Sequence, residues 1–249
     1  MIEYNTMHIT EKSNIASLVA SDYRLAEVFK QFNIDFCCHG NRTIGEACLQ
    51  KDISGLIRQL IEQSRAPDKS ILDYNSWPID LLADHIENVH HRYVTRQIPV
   101  IKSYLDKICK AHGDRHPELF HITALFNETA GELSMHMKKE ELMLFPFIHK
   151  LAKAKDLGYK LNSPSFGSVE NPILMMNHEH DAEGERFRKI AQLCSNYTVP
   201  ADGCNTYKVS FALLKEFEDD LHLHIHLESN ILFPKAIEME KLVGQAPYA

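Results

Sequence analysis

The sequence predicts an all-α protein: an up-down four-helix bundle with a small helical domain ahead of it. Three observations carry that expectation. Four long stretches of helical apolar spacing follow Pro78, and no strand-like alternation competes with them. The loops between those stretches are modest in length, which favours antiparallel neighbours. One short phrase is also written twice. The first copy is His136-Met137-Lys138-Lys139-Glu140, then Leu144-Phe145-Pro146; the second is His224-Ile225-His226-Leu227-Glu228, then Leu232-Phe233-Pro234.

Residues 1–65 read as a domain of short helices. Ile15, Leu18 and Val19 have helical spacing, as do Leu25, Val28, Phe29 and Phe32. Thr43 and Glu46 form a T-x-x-E capping box. Leu56, Ile57, Leu60 and Ile61 continue the pattern. Such short pieces persist only by packing together. From 66 to 78 the pattern lapses at Ala66-Pro67-Asp68 and Asp73-Tyr74-Asn75-Ser76-Trp77-Pro78, so this stretch reads as a linker. Residues 79–249 then form the bundle. Its first helix runs from about Ile79 to Lys110 and stops at His112-Gly113; its second runs from about Glu118 to Lys155. Pro172 opens the third, which ends near Ser195, and the fourth spans about Thr206 to Val243. Pro146 and Pro234 fall inside helical patterns and are expected to kink or end their helices soon after the repeated phrase.

A His and a Glu four residues apart share one face of a helix. In the first copy Leu125, Leu133, Met143 and Phe147 place that face inward; in the second, Leu213, Phe217 and Ile231 do so. Imidazoles and carboxylates facing an apolar interior need partners, because burying them unpaired costs several kcal/mol. A metal bound between helices meets that need. The bland alternative is two solvated ion pairs that happen to recur, but matching flanks on matching stripes favour the metal. The other two helices offer donors on their own inward stripes. On the first, Val94, Ile98, Ile101 and Leu105 extend back to His91, leaving His90 at the edge of the bundle or just behind the ligands. On the third, Ile173, Met176, Gly184 and Phe187 include His180 and leave His178 aside. His91, His136, Glu140, His180, His224 and Glu228 make four imidazoles and two carboxylates. That mixture suits iron, manganese or zinc better than a thiolate zinc site does. It leaves two histidines per metal, two carboxylates to bridge, and open positions. The spacing is neither the Glu-x-x-His of ferritin-like carboxylate proteins nor the His-Glu-x-x-His of zinc proteases.

Composition narrows the setting. A formal net charge of −7 and the lack of any basic run argue against nucleic acid or an anionic membrane surface as partner. Met1 to Ser13 lacks the basic and apolar regions of a signal peptide, and no apolar run approaches the ~20 residues of a membrane span, so a cytoplasmic protein is expected. In that compartment the cysteines Cys37, Cys38, Cys48, Cys109, Cys194 and Cys204 are not a disulfide framework. The adjacent thiols of Cys37 and Cys38, ahead of Gly40, are expected to be exposed and functional, with helix-end packing as the alternative. The other four read as structural, and Met175, Met176 and the phenylalanines as core.

The repeated His-x-x-x-Glu with Leu-Phe-Pro resembles the hemerythrin-like family. Asp35-Phe36-Cys37-Cys38-His39-Gly40 in a short helical domain ahead of the bundle is similar to the Repair of Iron Centers proteins, where Gly often stands in place of His39. The resemblance spans essentially the whole chain. It implies two non-haem iron ions in an oxo- and carboxylate-bridged centre, with His91, His136, His180 and His224 as terminal ligands and Glu140 and Glu228 as bridges. It implies that Glu132 and Glu179 line the route to the metals, although each alone also reads as a solvated helix charge. The implied function is repair of, or iron supply to, iron-sulfur clusters damaged by nitric oxide or oxidative stress. Iron-sulfur proteins or cluster scaffolds would be the partners, nitric oxide or oxygen the small ligand, and a homodimer the assembly. Oxygen-carrying hemerythrins use a further histidine that this set lacks, which favours labile or reactive iron. Nitric oxide reduction at the centre, an oxygen- or redox-sensing module, and a bundle holding zinc are the alternatives.

Overall fold

The computed structural model describes residues 8–48, 52–65 and 72–244. The linker residues 66–71, including Ala66-Pro67-Asp68, therefore lie outside the described residues. Two compact units are present: one takes the described residues of Met1–Pro78 together with Ile225–Lys235, the other those of Ile79–His224 and Ala236–Ala249.

In the first unit, helices α1 (Ile15–Ser21), α2 (Leu25–Gln31), α3 (Ile44–Ala47) and α4 (Ile53–Arg65) are followed by a 3₁₀ turn at Tyr74–Ser76. Each short helix is fixed locally. The Asn14 side chain accepts from the Ser17 N–H at 2.9 Å and starts α1. Thr43 and Glu46 form the expected capping box, with 2.7 Å and 3.2 Å bonds in the two directions. Ile15, Leu25, Phe29, Ile44, Leu56 and Leu60 are fully buried and make the core.

Apart from the 225–235 stretch of the fourth, the long helices make up the second unit. The first comprises α5 (Ile79–His85), a π-helical stretch (Ile86–His91) and α6 (Arg92–His112). The second comprises α7 (Glu118–Lys139), a π stretch (Glu140–Leu144) and α8 (Phe145–Leu157). The third is α9 (Glu170–Leu193). The fourth is α10 (Asn205–Leu227), a π stretch (Glu228–Leu232) and α11 (Phe233–Gly244). Gly158 closes α8 in the left-handed conformation at φ 70°. Glu240 caps the start of α9, accepting from Ser168 Oγ at 2.6 Å and the Val169 N–H at 3.0 Å. Phe126, Phe187 and Phe217 meet in the middle, Phe217 edge-on to Phe126 at 5.3 Å and stacked on Phe187 at 5.7 Å. Among the described residues no helix is long and apolar enough to cross a membrane.

Pro146 and Pro234 do not end their helices, which continue to Leu157 and Gly244. A π turn precedes each Phe-Pro pair. The N–H of Phe145 donates to the carbonyl of Glu140, and that of Phe233 to the carbonyl of Glu228, each five residues back. The proline then falls in the opening turn of the following α segment, where its missing N–H is least costly. The π turn adds one residue and shifts the register beyond it. Leu144, Phe145, Phe147 and Ile148 are buried, whereas Met143 is 43 % exposed and leaves the stripe the simple periodicity gave it. Met175, expected in the core, is 42 % exposed, while Met176 beside it is buried.

Candidate metal centre

The donors are carried by the four long helices. His91 ends the π stretch of the first, Glu140 and Glu228 begin those of the second and fourth, and His136 and His224 lie one turn ahead of the two glutamates. His180 projects from the middle of α9. None of the six is more than 3 % exposed, and the two glutamates are fully buried.

Two groups form, each with one candidate donor atom per residue and all four atoms within 4.8 Å of one another: His91, Glu140, His224 and Glu228, and His136, Glu140, His180 and Glu228. Both carboxylates are common to the two groups, whereas each imidazole belongs to one. The separations resemble edges of a coordination polyhedron. His91 Nε2 lies 3.3 Å from Glu140 Oε2, His136 Nε2 lies 3.3 Å from Glu140 Oε1, and the Nε2 atoms of His136 and His180 are 3.1 Å apart. Donors on one ion with bonds of about 2.0–2.2 Å stand roughly 3.0–3.4 Å from one another. The residues therefore fit a pair of first-row metal ions in spacing as well as in donor type.

Carboxylates behind the rings set their direction. His136 Nδ1 lies 2.8 Å from Glu179 Oε2, and Lys139 also pairs with Glu179. The hydrogen bond from His136, helped by the Lys139 ammonium, outweighs desolvation and pushes the Glu179 pKa down to about 2. An ionised carboxylate only accepts, so His136 Nδ1 carries the proton and Nε2 turns its lone pair inward. Glu141 serves His91 likewise, with Oε1 2.9 Å from Nδ1. A lone pair 3.3 Å from a buried carboxylate calls for positive charge between them, which a metal ion held in each group would supply.

Other expected site residues fall elsewhere. Glu132 is exposed and outside both donor groups. Glu179 is the partner of His136 just described. His90, expected at the edge of the bundle or just behind the ligands, is 2 % exposed; its ring stacks on that of His224 at 5.6 Å, and Nδ1 lies 2.9 Å from Asp220. Sequence reasoning missed Glu141 and Asp220. The signal for Glu141 was present, since it directly follows a ligand candidate, but an extra residue in the turn was needed to aim it.

Cys37 and Cys38 belong to the first unit and do not present two exposed thiols. Cys37 is buried and Cys38 partly so, with the two sulfurs 3.7 Å apart and not joined in a disulfide. The preceding loop folds around Asp35, whose Oδ1 accepts from the N–H groups of Cys37 at 3.1 Å and Cys38 at 3.0 Å. Oδ2 lies 2.9 Å from His39 Nδ1. Burial works against the Asp35 charge, but hydrogen bonds from His39 and Cys37 prevail and lower its pKa to about 2. The hydrogen bond with Cys38, then burial and the Asp35 charge, hold the Cys37 thiol well above the usual range, so it stays protonated. Asp35, Cys37 and Cys38 bring three donor atoms within 4.8 Å of one another. Asn230 steadies this loop: its Nδ2 donates to the Cys37 carbonyl at 3.2 Å and meets His226 Nδ1 at 3.0 Å.

Comparison with known proteins agrees with this geometry. Residues 82–236 match the hemerythrin HHE cation binding domain, and residues 11–63 match ScdA_N, a domain of unknown function. The chain is 34 % identical to the iron-sulfur cluster repair protein YtfE of Musicola paradisiaca over 236 residues, covering 94 % of this chain and all of that one. It is 33 % identical to YtfE of Yersinia pseudotuberculosis, covering 91 % of this chain and 97 % of that one. With the probable iron-sulfur cluster repair protein of Haemophilus influenzae it shares 32 % identity, again covering 91 % and 97 %. The similarity thus covers both the bundle and the domain ahead of it, and the chain belongs to the Repair of Iron Centers family, with a hemerythrin-like cation-binding bundle.

Proposed function

We propose that the bundle holds two iron ions and that the protein repairs, or supplies iron to, iron-sulfur clusters damaged by nitric oxide or oxidative stress in a bacterial cytoplasm. His91 and His224 would hold one ion and His136 and His180 the other, with Glu140 and Glu228 available to both. One observation carries the reading: the two oxygens of the buried Glu140 carboxylate face different imidazoles, each at 3.3 Å, one from each donor group. The repair role rests on the names of the relatives that match nearly the full chain.

When bound, the iron pair supplies exchangeable metal with coordination positions open to nitric oxide or oxygen. The protein's own groups do the rest. Glu141 and Glu179 keep Nδ1 of His91 and His136 protonated and hold their Nε2 atoms inward. The buried stripe of Phe145, Phe147 and Ile148 borders the donors on the second helix and limits water. In the first unit, Cys37 and Cys38 offer two adjacent thiols for a redox step or for handling iron or sulfur.

The test begins with metal analysis of anaerobically purified protein. Iron near two per chain, with oxo-bridge absorption on oxidation, supports the centre; zinc alone overturns it. Recovery of an iron-sulfur enzyme inactivated by nitric oxide is then followed beside nitrous oxide release. Recovery without nitrous oxide supports repair, whereas nitrous oxide without recovery replaces it with nitric oxide reduction. Unchanged recovery by the Cys37→Ser/Cys38→Ser variant removes the thiol pair from the mechanism.

A further inference from the structure

A second group of reactive side chains lies far along the bundle from the metal donors. His112 ends α6, 21 residues beyond His91, or about 30 Å along the helix. Its Nε2 lies 3.2 Å from the Sγ of Cys204, the residue immediately before α10. Cys204 is exposed, whereas His112 is only 6 % exposed. The sequence pattern gave Cys204 a structural role, and its exposure removes that role.

The hydrogen bonds fix which atom carries the proton. Arg115 Nη2 lies 3.3 Å from His112 Nδ1. A guanidinium only donates, so Nδ1 must accept. The neutral ring then carries its hydrogen on Nε2 and donates it to Cys204 Sγ. The backbone N–H groups of Thr206 and Tyr207, in the first turn of the 23-residue α10, further favour the charged form of the same exposed sulfur. The hydrogen bond from His112 comes first among the causes that lower the thiol pKa to about 7.

The ring is held firmly in this role. Tyr207 packs edge-on against His112 at 5.3 Å and against His116 at 5.8 Å. His116 places Nδ1 3.1 Å from Glu118 and Nε2 2.9 Å from Asp202, and Arg115 reaches Asp202 at 3.3 Å. The hydrogen bond to Asp202 leads the causes that raise the His116 pKa, and that to His116 those that lower the Asp202 pKa. The titratable and charged groups gathered around the His112 ring from the neighbouring elements are therefore Arg115, His116, Asp202 and Glu118.

We propose that Cys204 is a modification site that reacts as a thiolate with low-molecular-weight disulfides. Sγ attacks one sulfur of the disulfide RSSR, a Cys204–S–S–R bond forms, and RS⁻ departs with the electron pair of the broken S–S bond. Cys204 is oxidised and the departing half of the reagent is reduced, and no proton is required. That suits the site better than peroxide chemistry, whose departing hydroxide needs an acid. His112 Nε2–H points at the attacking sulfur itself, and Asp202 is ionised.

Glutathione disulfide serves as probe on the full-length protein. Iodoacetamide labelling of Cys204, read by peptide mass spectrometry across pH, is expected to show a midpoint near 7. Against an ordinary thiol of pKa about 8.5, the thiolate fraction at pH 7 rises about fifteenfold while nucleophilicity falls about fivefold. Mixed-disulfide formation should then be about threefold faster than at the same thiol in the urea-unfolded chain. His112→Phe keeps the ring contact with Tyr207 and removes the donor, so the midpoint should rise by about one unit, a tenfold loss of thiolate at pH 6. Arg115→Met, at an exposed side chain, frees the tautomer without disturbing the core and should move the midpoint in the same direction. A wild-type midpoint at the ordinary thiol value overturns the assignment. So does a midpoint that the folded variants leave in place, or a mixed disulfide that forms no faster than in the unfolded chain.

Discussion

Glu140 shows how one side chain is committed to charge chemistry by burial. A fully buried carboxylate beside imidazoles is stable only if the charges are compensated, so its replacement separates folding from metal binding. Glu140→Leu and Glu228→Leu should each lose metal while far-ultraviolet circular dichroism stays unchanged. Without metal, each should be more thermostable than the metal-free wild type, by roughly 1–4 kcal/mol, because a buried charge has been replaced by an apolar group. Full metal content in both variants would sink the bridging assignment. Asp35 is the corresponding residue in the first unit. Its pKa falls from 3.8 to about 2, so its charge stabilises the fold by about 2 kcal/mol above pH 4. Because the folded value is the depressed one, this contribution is present above 3.8 and fades as pH falls toward 2. Asp35→Asn keeps the acceptor oxygen and loses the charge. Its stability deficit, measured by denaturant unfolding of the metal-free protein, should be constant from pH 5 to 7 and shrink below pH 4. A deficit that grows with acid would contradict a stabilising charge at this position.

At the scale of the element, the repeated phrase encodes a π turn as well as two ligands. In both copies the stretch opens at the Glu and closes at the Leu before Phe-Pro. Proline removes an N–H and crowds the carbonyl four residues back, and the extra residue relieves both. Leu142 lies in this turn with its side chain 76 % exposed, so deleting it removes no core contact. The deletion should restore regular α-helical bonding and place Pro146 in a helix interior, at a cost of about 3 kcal/mol. Helicity should persist while Tm falls and metal content drops, as measured by circular dichroism and metal analysis. An unchanged Tm with full metal would show that the π turn is incidental to the donors.

For the molecule as a whole, the donors are supplied by helices far apart in sequence, so metal and fold are linked. A ligand bound only by the folded state stabilises it by about 2.7 kcal/mol at a hundred times its Kd. Chelation under reducing conditions should therefore lower Tm, and added ferrous iron should restore it; a Tm indifferent to both would deny that the donors hold metal in the folded state. The sequence by itself determined the helices and the inward stripes, because period and capping are local: Thr43 with Glu46, and His136 with Glu140, meet within one turn. It also named six donors by type and depth, and these six assemble into the two groups. Only the tertiary structure decided which donors share a group, because that depends on how separate helices are rotated against one another. It decided that Met143 faces outward, since one extra residue in a turn carries no periodic signature. It buried Cys37, and it set Glu141 behind His91 and His112 behind Cys204, pairs 50 and 92 residues apart in sequence. Long-range pairing of polar groups leaves no pattern along a single chain, because its energy is realised only when both partners leave water together.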